Sequence, residues 1–249
     1  MTLPAKREPS SKVLLSIAYF PPVEYFAVLA EYSSVYLEAH ENYIRQTWRN
    51  RCRVLTANGP MDLRFPVVHD GERRVRHIRV DYKTPWVEKT EQAIDSAYRS
   101  SPFFEYYRDA LYGILDSHPE TLWELDLSIM RFFISKIGLR TELLETSSFI
   151  PPVVAPSVPE TIVLGNYAPC GRQTLSAHGA ASPAYGNGAG SGLRGNSLQD
   201  LRYSITPKKP SSYVGRPYWQ VFREKFGFVP GLSIMDLLFN EGPESLCYF

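Results

Sequence analysis

Val13-Leu14-Leu15-Ser16-Ile17-Ala18-Tyr19-Phe20-Pro21-Pro22 is the stretch that decides how this chain is read. The apolar run from Val13 to Ala18 ends on Tyr19-Phe20-Pro21-Pro22, the form of a buried strand with a forced stop. Two prolines in succession fix two backbone angles and remove two amide donors, so the chain must turn. Val23 to Tyr32 then carries Tyr25, Phe26, Leu29 and Ala30 at helical spacing, with Pro22 suited to the first turn. Ser34-Val35-Tyr36-Leu37-Glu38 reads as a second strand. Strand, short helix and strand within roughly 25 residues predict a βαβ unit, and with it a parallel sheet. The loop Tyr19 to Pro22 and the end of the second strand, Glu38 to Asn42, then share the carboxyl edge, where ligands of α/β sheets generally bind.

Outward from that edge runs His40-Glu41-Asn42-Tyr43-Ile44-Arg45-Gln46-Thr47-Trp48-Arg49-Asn50-Arg51-Cys52-Arg53. Four arginines, two asparagines, a histidine, a glutamine and a threonine crowd this segment, with only Ile44, Trp48 and Cys52 to pack. So many groups are costly to desolvate without partners, which marks a surface for something polar and anionic. As a strand, Arg45, Thr47, Arg49, Arg51 and Arg53 share one face and Ile44, Trp48, Cys52 and Val54 the other. As a helix, Ile44, Trp48 and Cys52 stack and Arg45 and Arg49 sit side by side. Periodicity leaves both open, and in both the guanidinium forks stand opposite the apolar row, suited to carboxylate or phosphate. The plainer reading is a charged solvent face.

Farther along, Arg53 to Ala57 and Met61 to Val68 flank Asn58-Gly59-Pro60, a strong hairpin signal. Asp70-Gly71 turns the chain into a further expected strand over Val75 to Val80; Arg73, Arg74, Arg76 and Arg79 read as its solvated edge. Thr84 and Pro85 open a helix through Tyr98, and Pro102 opens another through Ile114. Thr121 with Glu124 forms a capping box for a third that ends at Gly138, and Thr141 to Glu145 suits a closing strand. Between Pro151 and Asp200 stand eight glycines and six prolines, so residues 151–212 are expected to be a mobile loop or insertion in which Cys170 and His178 carry no chemistry. Ser233 with Asp236 makes a second capping box for a C-terminal helix ending at Gly242. The carboxylate of Asp236 is also a candidate to hold a ligand. The expected fold is thus α/β, a mixed sheet starting with a βαβ unit and flanked by helices, with a long Gly/Pro-rich insertion before the C-terminal helix. Residues 12–249 make one domain behind a flexible tail, 1–11.

Composition excludes more than it assigns. The 249 residues are 44% hydrophobic and 21% charged, ordinary for a soluble globular chain. A formal net charge of +1 argues against nucleic-acid binding by bulk electrostatics. Cys52, Cys170 and Cys247 are dispersed and odd in number, which gives no disulfide framework and fits a reducing, cytoplasmic setting. No apolar run reaches the roughly 20 residues of a membrane-spanning helix. H-E-x-x-H, G-x-x-x-x-G-K-[ST], G-x-S-x-G and a helix-opening G-x-G-x-x-G are all missing, and His40-Glu41 does not by itself make a metal site. No cofactor and no oligomeric state follow from the residues.

Taken together, Tyr19-Phe20-Pro21-Pro22 with Tyr25-Phe26, His40-Glu41-Asn42-Tyr43, Arg49-Asn50-Arg51, Ser96-Ala97-Tyr98 running into Pro102-Phe103-Phe104, and Gly231-Leu232-Ser233-Ile234-Met235-Asp236-Leu237-Leu238-Phe239-Asn240-Glu241-Gly242 resemble the WbqC-like family. The resemblance covers roughly residues 12–150 and 215–246. The chain departs from the pattern in its Gly/Pro-rich stretch and at Thr90-Glu91, where many members carry a histidine. The resemblance implies an acyl or aminoacyl transferase, glycyl transfer included, acting on an amino sugar in O-antigen or other surface-polysaccharide assembly. Its substrate would be a small molecule or a sugar linked to a nucleotide or lipid. Such chemistry needs a base and oxyanion donors. His40 is the only histidine in a polar constellation at the expected edge and so the candidate base, while Asn50, Asn42 and Gln46 are candidate oxyanion donors. Arg45, Arg49 and Arg51, with Tyr19 and Pro21 from the loop, would bind the ligand. Cys52 beside Arg51 is a conceivable thiolate, though a regular element turns it into the apolar row. A non-catalytic glycan- or nucleotide-binding module and a nucleotide-dependent ligase are the alternatives.

Overall fold

The structure, a computed structural model, describes residues 12–152, 198–208 and 215–249. The tail 1–11 and most of the stretch 151–212, Cys170 and His178 included, lie outside the described residues.

The opening stretch forms β1 (Lys12–Leu15), α1 (Val23–Glu31) and β2 (Ser34–Leu37). Strands β1 and β2 pair in parallel with Leu15 opposite Leu37. Val13, Leu14 and Leu15 are all buried, which explains why β1 reads as a continuous apolar run rather than an alternation. The closing strand β5 (Glu142–Glu145) lies parallel to β2 on its outer side. A fourth strand, β6 (Leu198–Asp200), pairs in parallel with β1, so the order is β5-β2-β1-β6. It falls inside the stretch expected as a loop. Three residues beside a Gly-rich run are too few to show a period.

Because all four strands run the same way, their carboxyl ends line up. The ladder continues one residue past each: Glu38 N–H donates to Leu15 O at 2.9 Å, Thr146 N–H to Leu37 O at 3.0 Å and Leu201 N–H to Leu14 O at 2.9 Å. This brings Ser16, Glu38, Thr146 and Arg202 to one edge.

Strands β3 (Arg51–Thr56) and β4 (Gly59–Arg64) form the hairpin that Asn58-Gly59 predicts, as a separate antiparallel sheet, with Gly59 at φ +108°. The fold is therefore mixed α/β. The strand expected over Val75–Val80 is instead a 3₁₀ turn at Val75–His77 followed by isolated bridges, Val67 to Val80 and Arg79 to Thr121. Buried Val75 and Ile78 are three residues apart, the spacing of a 3₁₀ turn.

Helices α2 (Trp86–Tyr98), α3 (Phe104–Asp116) and α4 (Leu122–Ile137) follow in the expected order. Pro85, not Thr84, takes the N-cap position of α2, with no side-chain cap bond. The Thr121/Glu124 capping box is present, and Gly138 closes α4 at φ +80°. Helix α4 packs on the βαβ unit, the Phe133 ring lying 6.1 Å from Phe20 and 6.0 Å from Phe26. After the short α5 (Arg223–Phe226), α6 (Ile234–Glu241) sets Phe239 at 5.3 Å from both Tyr98 and Phe104. The C-terminal segment also holds the double-proline stop: Ile234 N–H donates to Pro21 O at 2.8 Å and Val23 N–H to Leu232 O at 2.9 Å. Gly242, just past α6, has φ +54°, and a Cβ there would lie 2.6 Å from the Phe103 ring. Gly242→Ala should therefore cost at least about 2 kcal/mol, seen as a lower urea midpoint at unchanged slope. Among the described residues no helix is long and apolar enough to cross a membrane.

Candidate functional site

Just past β1, the Ser16 side chain sits between Glu41 and Arg49. Ser16 Oγ–H donates to Glu41 Oε2 at 3.1 Å, and Arg49 Nη2 donates to Ser16 Oγ at 2.7 Å. Arg49 also donates to Glu41 Oε1 through Nη2 at 2.7 Å and Nε at 3.0 Å, while Nη1 reaches Thr47 Oγ1 at 3.1 Å. Both members of the ion pair are buried, Glu41 at 1% and Arg49 at 3% exposure. Burial pushes the Glu41 carboxyl above its ordinary range, and Arg49 and Ser16 pull it back. Below Ser16, Tyr25 Oη–H donates to its carbonyl at 2.8 Å.

A second buried group closes the same edge. Arg202 donates to Asp200 through Nε at 2.9 Å and Nη2 at 2.6 Å, and its Nη1 reaches Glu38 Oε2 at 3.3 Å. Glu38 Oε1 accepts from Thr146 Oγ1 at 2.8 Å and from the His40 amide at 2.9 Å. A narrow cleft ends here, walled by Ser16, Thr47, Trp48, Arg49, Arg202 and Tyr203 among others. The end of β1 and the arginine-rich segment therefore face one cavity.

The expected site residues divide sharply around that cleft. Arg49 lines it. The His40 ring is turned aside, with Nε2 at 3.1 Å from Thr146 O. Asn50 Nδ2 donates to Phe65 O at 3.0 Å, which ties the segment to the hairpin. Tyr19 is fully buried, its ring edge-on to Phe65 at 4.7 Å, and only its backbone touches the cleft wall, N–H donating to Trp48 O at 2.8 Å. Pro21 serves through the carbonyl that holds Ile234. Asn42, in an isolated bridge to Arg74, and Arg45 and Gln46, in a turn, are all exposed, Gln46 at φ +59°. Arg51 opens β3 and lies 3.6 Å from Asp62. Residues 41–50 are thus neither strand nor helix, whereas from Arg51 onward the strand pattern holds, with Cys52 and Val54 inward. Cys52 is fully buried, and burial pushes its thiol up, away from the thiolate.

Asp236 lies apart. Its carboxyl does not complete a capping box; Ser233 Oγ alone accepts from the Met235 amide. Instead Asp236 Oδ2 accepts from Tyr218 Oη at 2.7 Å and Gln220 Nε2 at 3.1 Å, fully buried, and burial raises it to about 7. Of the second basic cluster, Arg76 and Arg79 form exposed pairs with Glu145 and Asp70, as a solvated edge should.

Sequence reasoning missed Ser16, Glu41, Glu38 and Arg202 as a unit. Ser16 was legible as the polar interruption where the apolar run meets the carboxyl edge, and Glu41 as the acid inside a basic segment. Arg202 had no signal, since it reaches Glu38 from 164 residues away.

A family model described as the WbqC-like protein family matches residues 18–248. The chain is also similar to "Uncharacterized protein Rv1507c" of Mycobacterium tuberculosis, 25% identical over 233 residues that cover 92% of this chain and 93% of that protein. No solved structure matches. Glu38, Glu41, Arg49, Arg202 and the α6 segment that pins Pro21 all fall inside the matched span, as do the motifs that carried the resemblance, and the chain belongs to the WbqC-like protein family.

Proposed function

We propose that the chain is an acyl or aminoacyl transferase whose acceptor is the amine of an amino sugar, acting in the cytoplasm in surface-polysaccharide assembly. One arrangement supports the reading: a serine hydroxyl on a cleft wall, hydrogen-bonded to a carboxylate that an arginine orients. That is the nucleophile, base and orienting group of covalent acyl transfer.

In this mechanism Ser16 Oγ attacks the carbonyl carbon of an activated acyl donor while Glu41 takes the hydroxyl proton and passes it to the leaving group. The amine then attacks the Ser16 ester, Glu41 accepts the proton that the nitrogen sheds, and Ser16 regains it as the amide departs. Burial makes Glu41 a stronger base than an exposed carboxylate. In this mechanism the base is Glu41 rather than His40, because Glu41 is the carboxylate hydrogen-bonded to Ser16 Oγ. Arg202 lines the same cleft with its guanidinium held by Asp200 and Glu38.

With p-nitrophenyl acetate as the donor, intact mass and peptide mapping should find one acetyl group on Ser16. Ser16→Ala should slow labelling at least about 10²-fold, with His40→Ala close to wild type. Label that persists undiminished in Ser16→Ala removes the mechanism. The alternative, a glycan- or nucleotide-binding module, has less support, because Arg49 and Arg202 are already paired with Glu41 and Asp200. A pure binder would show no covalent label at all.

A further inference from the structure

Where the cleft meets solvent, two aromatic rings stand uncovered. Tyr203, which lines the cleft, is 45% exposed, and Phe149 is 47% exposed. They come from distant parts of the chain, yet one guanidinium holds both: Arg202 Cζ lies 5.7 Å from the centre of the Tyr203 ring and 5.8 Å from that of Phe149. Arg202 is itself fixed. Its side chain is wholly buried, with Nη1 donating to Ile150 O at 2.8 Å and the rest of the fork held by Asp200 and Glu38. The segment that carries Phe149 is tied to the same group, Ile150 N–H donating to Glu38 Oε2 at 2.9 Å. Towards the floor of the cleft, Arg202 O lies 3.4 Å from Ser16 Oγ. Tyr203 is thus the next residue along from a carbonyl that touches the proposed nucleophile.

Exposed aromatics scattered singly are ordinary on a protein surface, but a pair fixed at the mouth of a cleft is a surface for a flat ligand. Because Arg202 already holds both rings, little conformational freedom is lost when such a ligand settles on them. A nucleotide brings phosphates, which call for a guanidinium free to donate. Both arginines of the cleft are committed, Arg49 to Glu41 and Arg202 to Asp200 and Glu38. The mouth therefore suits a ring that combines an apolar face with uncharged hydroxyls. A pyranose with equatorial substituents is such a ring, since its axial C–H groups make an apolar patch on either side.

We propose that Tyr203 and Phe149 form an aromatic platform on which the pyranose ring of the acceptor sugar stacks, over the end of the cleft that Ser16 lines. The proposal rests on the amino-sugar reading above and adds the residues that seat the ring. They bind the acceptor and move no proton.

The test is titration of methyl β-D-glucosaminide, read by saturation-transfer NMR, into wild type, Ser16→Ala, Tyr203→Ala, Tyr203→Trp and Phe149→Ala, with uridine monophosphate as the nucleotide control. Wild type and Ser16→Ala should bind the glycoside alike. Tyr203→Ala and Phe149→Ala should each raise its Kd at least about fivefold at an unchanged melting temperature, since both side chains are exposed, whereas Tyr203→Trp, which keeps an aromatic face, should stay within about twofold of wild type. Uridine monophosphate should bind more weakly than the glycoside. No saturable binding of the glycoside by wild type overturns the proposal, as does an affinity unchanged in either alanine variant or lost equally in Tyr203→Trp. Tighter binding of uridine monophosphate that depends on Tyr203 overturns it too, by making a nucleotide the occupant. Failure of the transferase reading shows separately, as absence of label on Ser16.

Discussion

Arg49→Met should lower the unfolding free energy by roughly 3–5 kcal/mol, the usual cost of stripping one partner from a buried ion pair. The cost arises because Glu41, 1% exposed, would keep only Ser16 Oγ as a donor, with Arg202 acting on it from farther away. The Glu41→Met/Arg49→Met double variant should recover most of that loss, to within about 2 kcal/mol of wild type, since two methionines fill similar volume with no charge left to desolvate. Urea unfolding of the three proteins measures both quantities. Acylation of Ser16 should fail in both variants: in the single one because Glu41, without its arginine, is pushed further towards the neutral acid, and in the double one because the base is gone. Stability that is alike in the single and double variants would mean that solvent reaches Glu41 and that it is not the desolvated base the mechanism needs.

That pair also shows where sequence reading stops. The βαβ unit was legible because an apolar run and two prolines are local facts, and the hairpin and α4 because Asn58-Gly59, Thr121 with Glu124, and Gly138 each impose a backbone geometry on their own. The Glu41–Arg49 pairing is not local in that sense. It forms across turns, where neither the two-residue nor the 3.6-residue period says which side chains meet, and the arginines count equally until a fold buries one of them. Arg45 and Arg49 look interchangeable in sequence, yet one is exposed and the other lines the cleft. Asp126 of α4, buried with neither carboxyl oxygen hydrogen-bonded among the described residues, did leave a trace. It lies four residues after Leu122 and three before Ile129, inside the apolar stripe of α4, where a carboxylate is rarely left unpaired. At Thr90-Glu91, where the resemblance to the family breaks, Thr90 is buried beside the Tyr19 hydroxyl.

Asp236→Asn should change how stability depends on pH more than it changes stability at any single acidic pH. The folded protein holds this carboxyl at about 7 against an ordinary 3.8, chiefly through burial, with Tyr218 and Gln220 pulling the other way. Between those values the native state carries a proton that the unfolded chain has lost. Wild-type stability from this group is therefore full below about pH 4, falls as pH rises towards 7, and is flat beyond, a total on the order of 4 kcal/mol. Asparagine does not titrate. Its oxygen can accept from Tyr218 and Gln220 as Oδ2 does now, and its amide faces the Tyr98 hydroxyl, which burial leaves beside Asp236. Measured as the difference between variant and wild type, so that raised carboxyls such as Glu41 and Asp126 cancel, stability should rise in favour of asparagine from pH 4 to about 7 and then level off. A difference that stays constant across that range would mean that Asp236 is already ionised in the fold, held by its two donors as a permanent anion. The C-terminal helix that pins Pro21, and through it the end of β1, would then be fastened by charge-assisted hydrogen bonds, and raising the pH to 8 would leave its grip on the cleft unchanged.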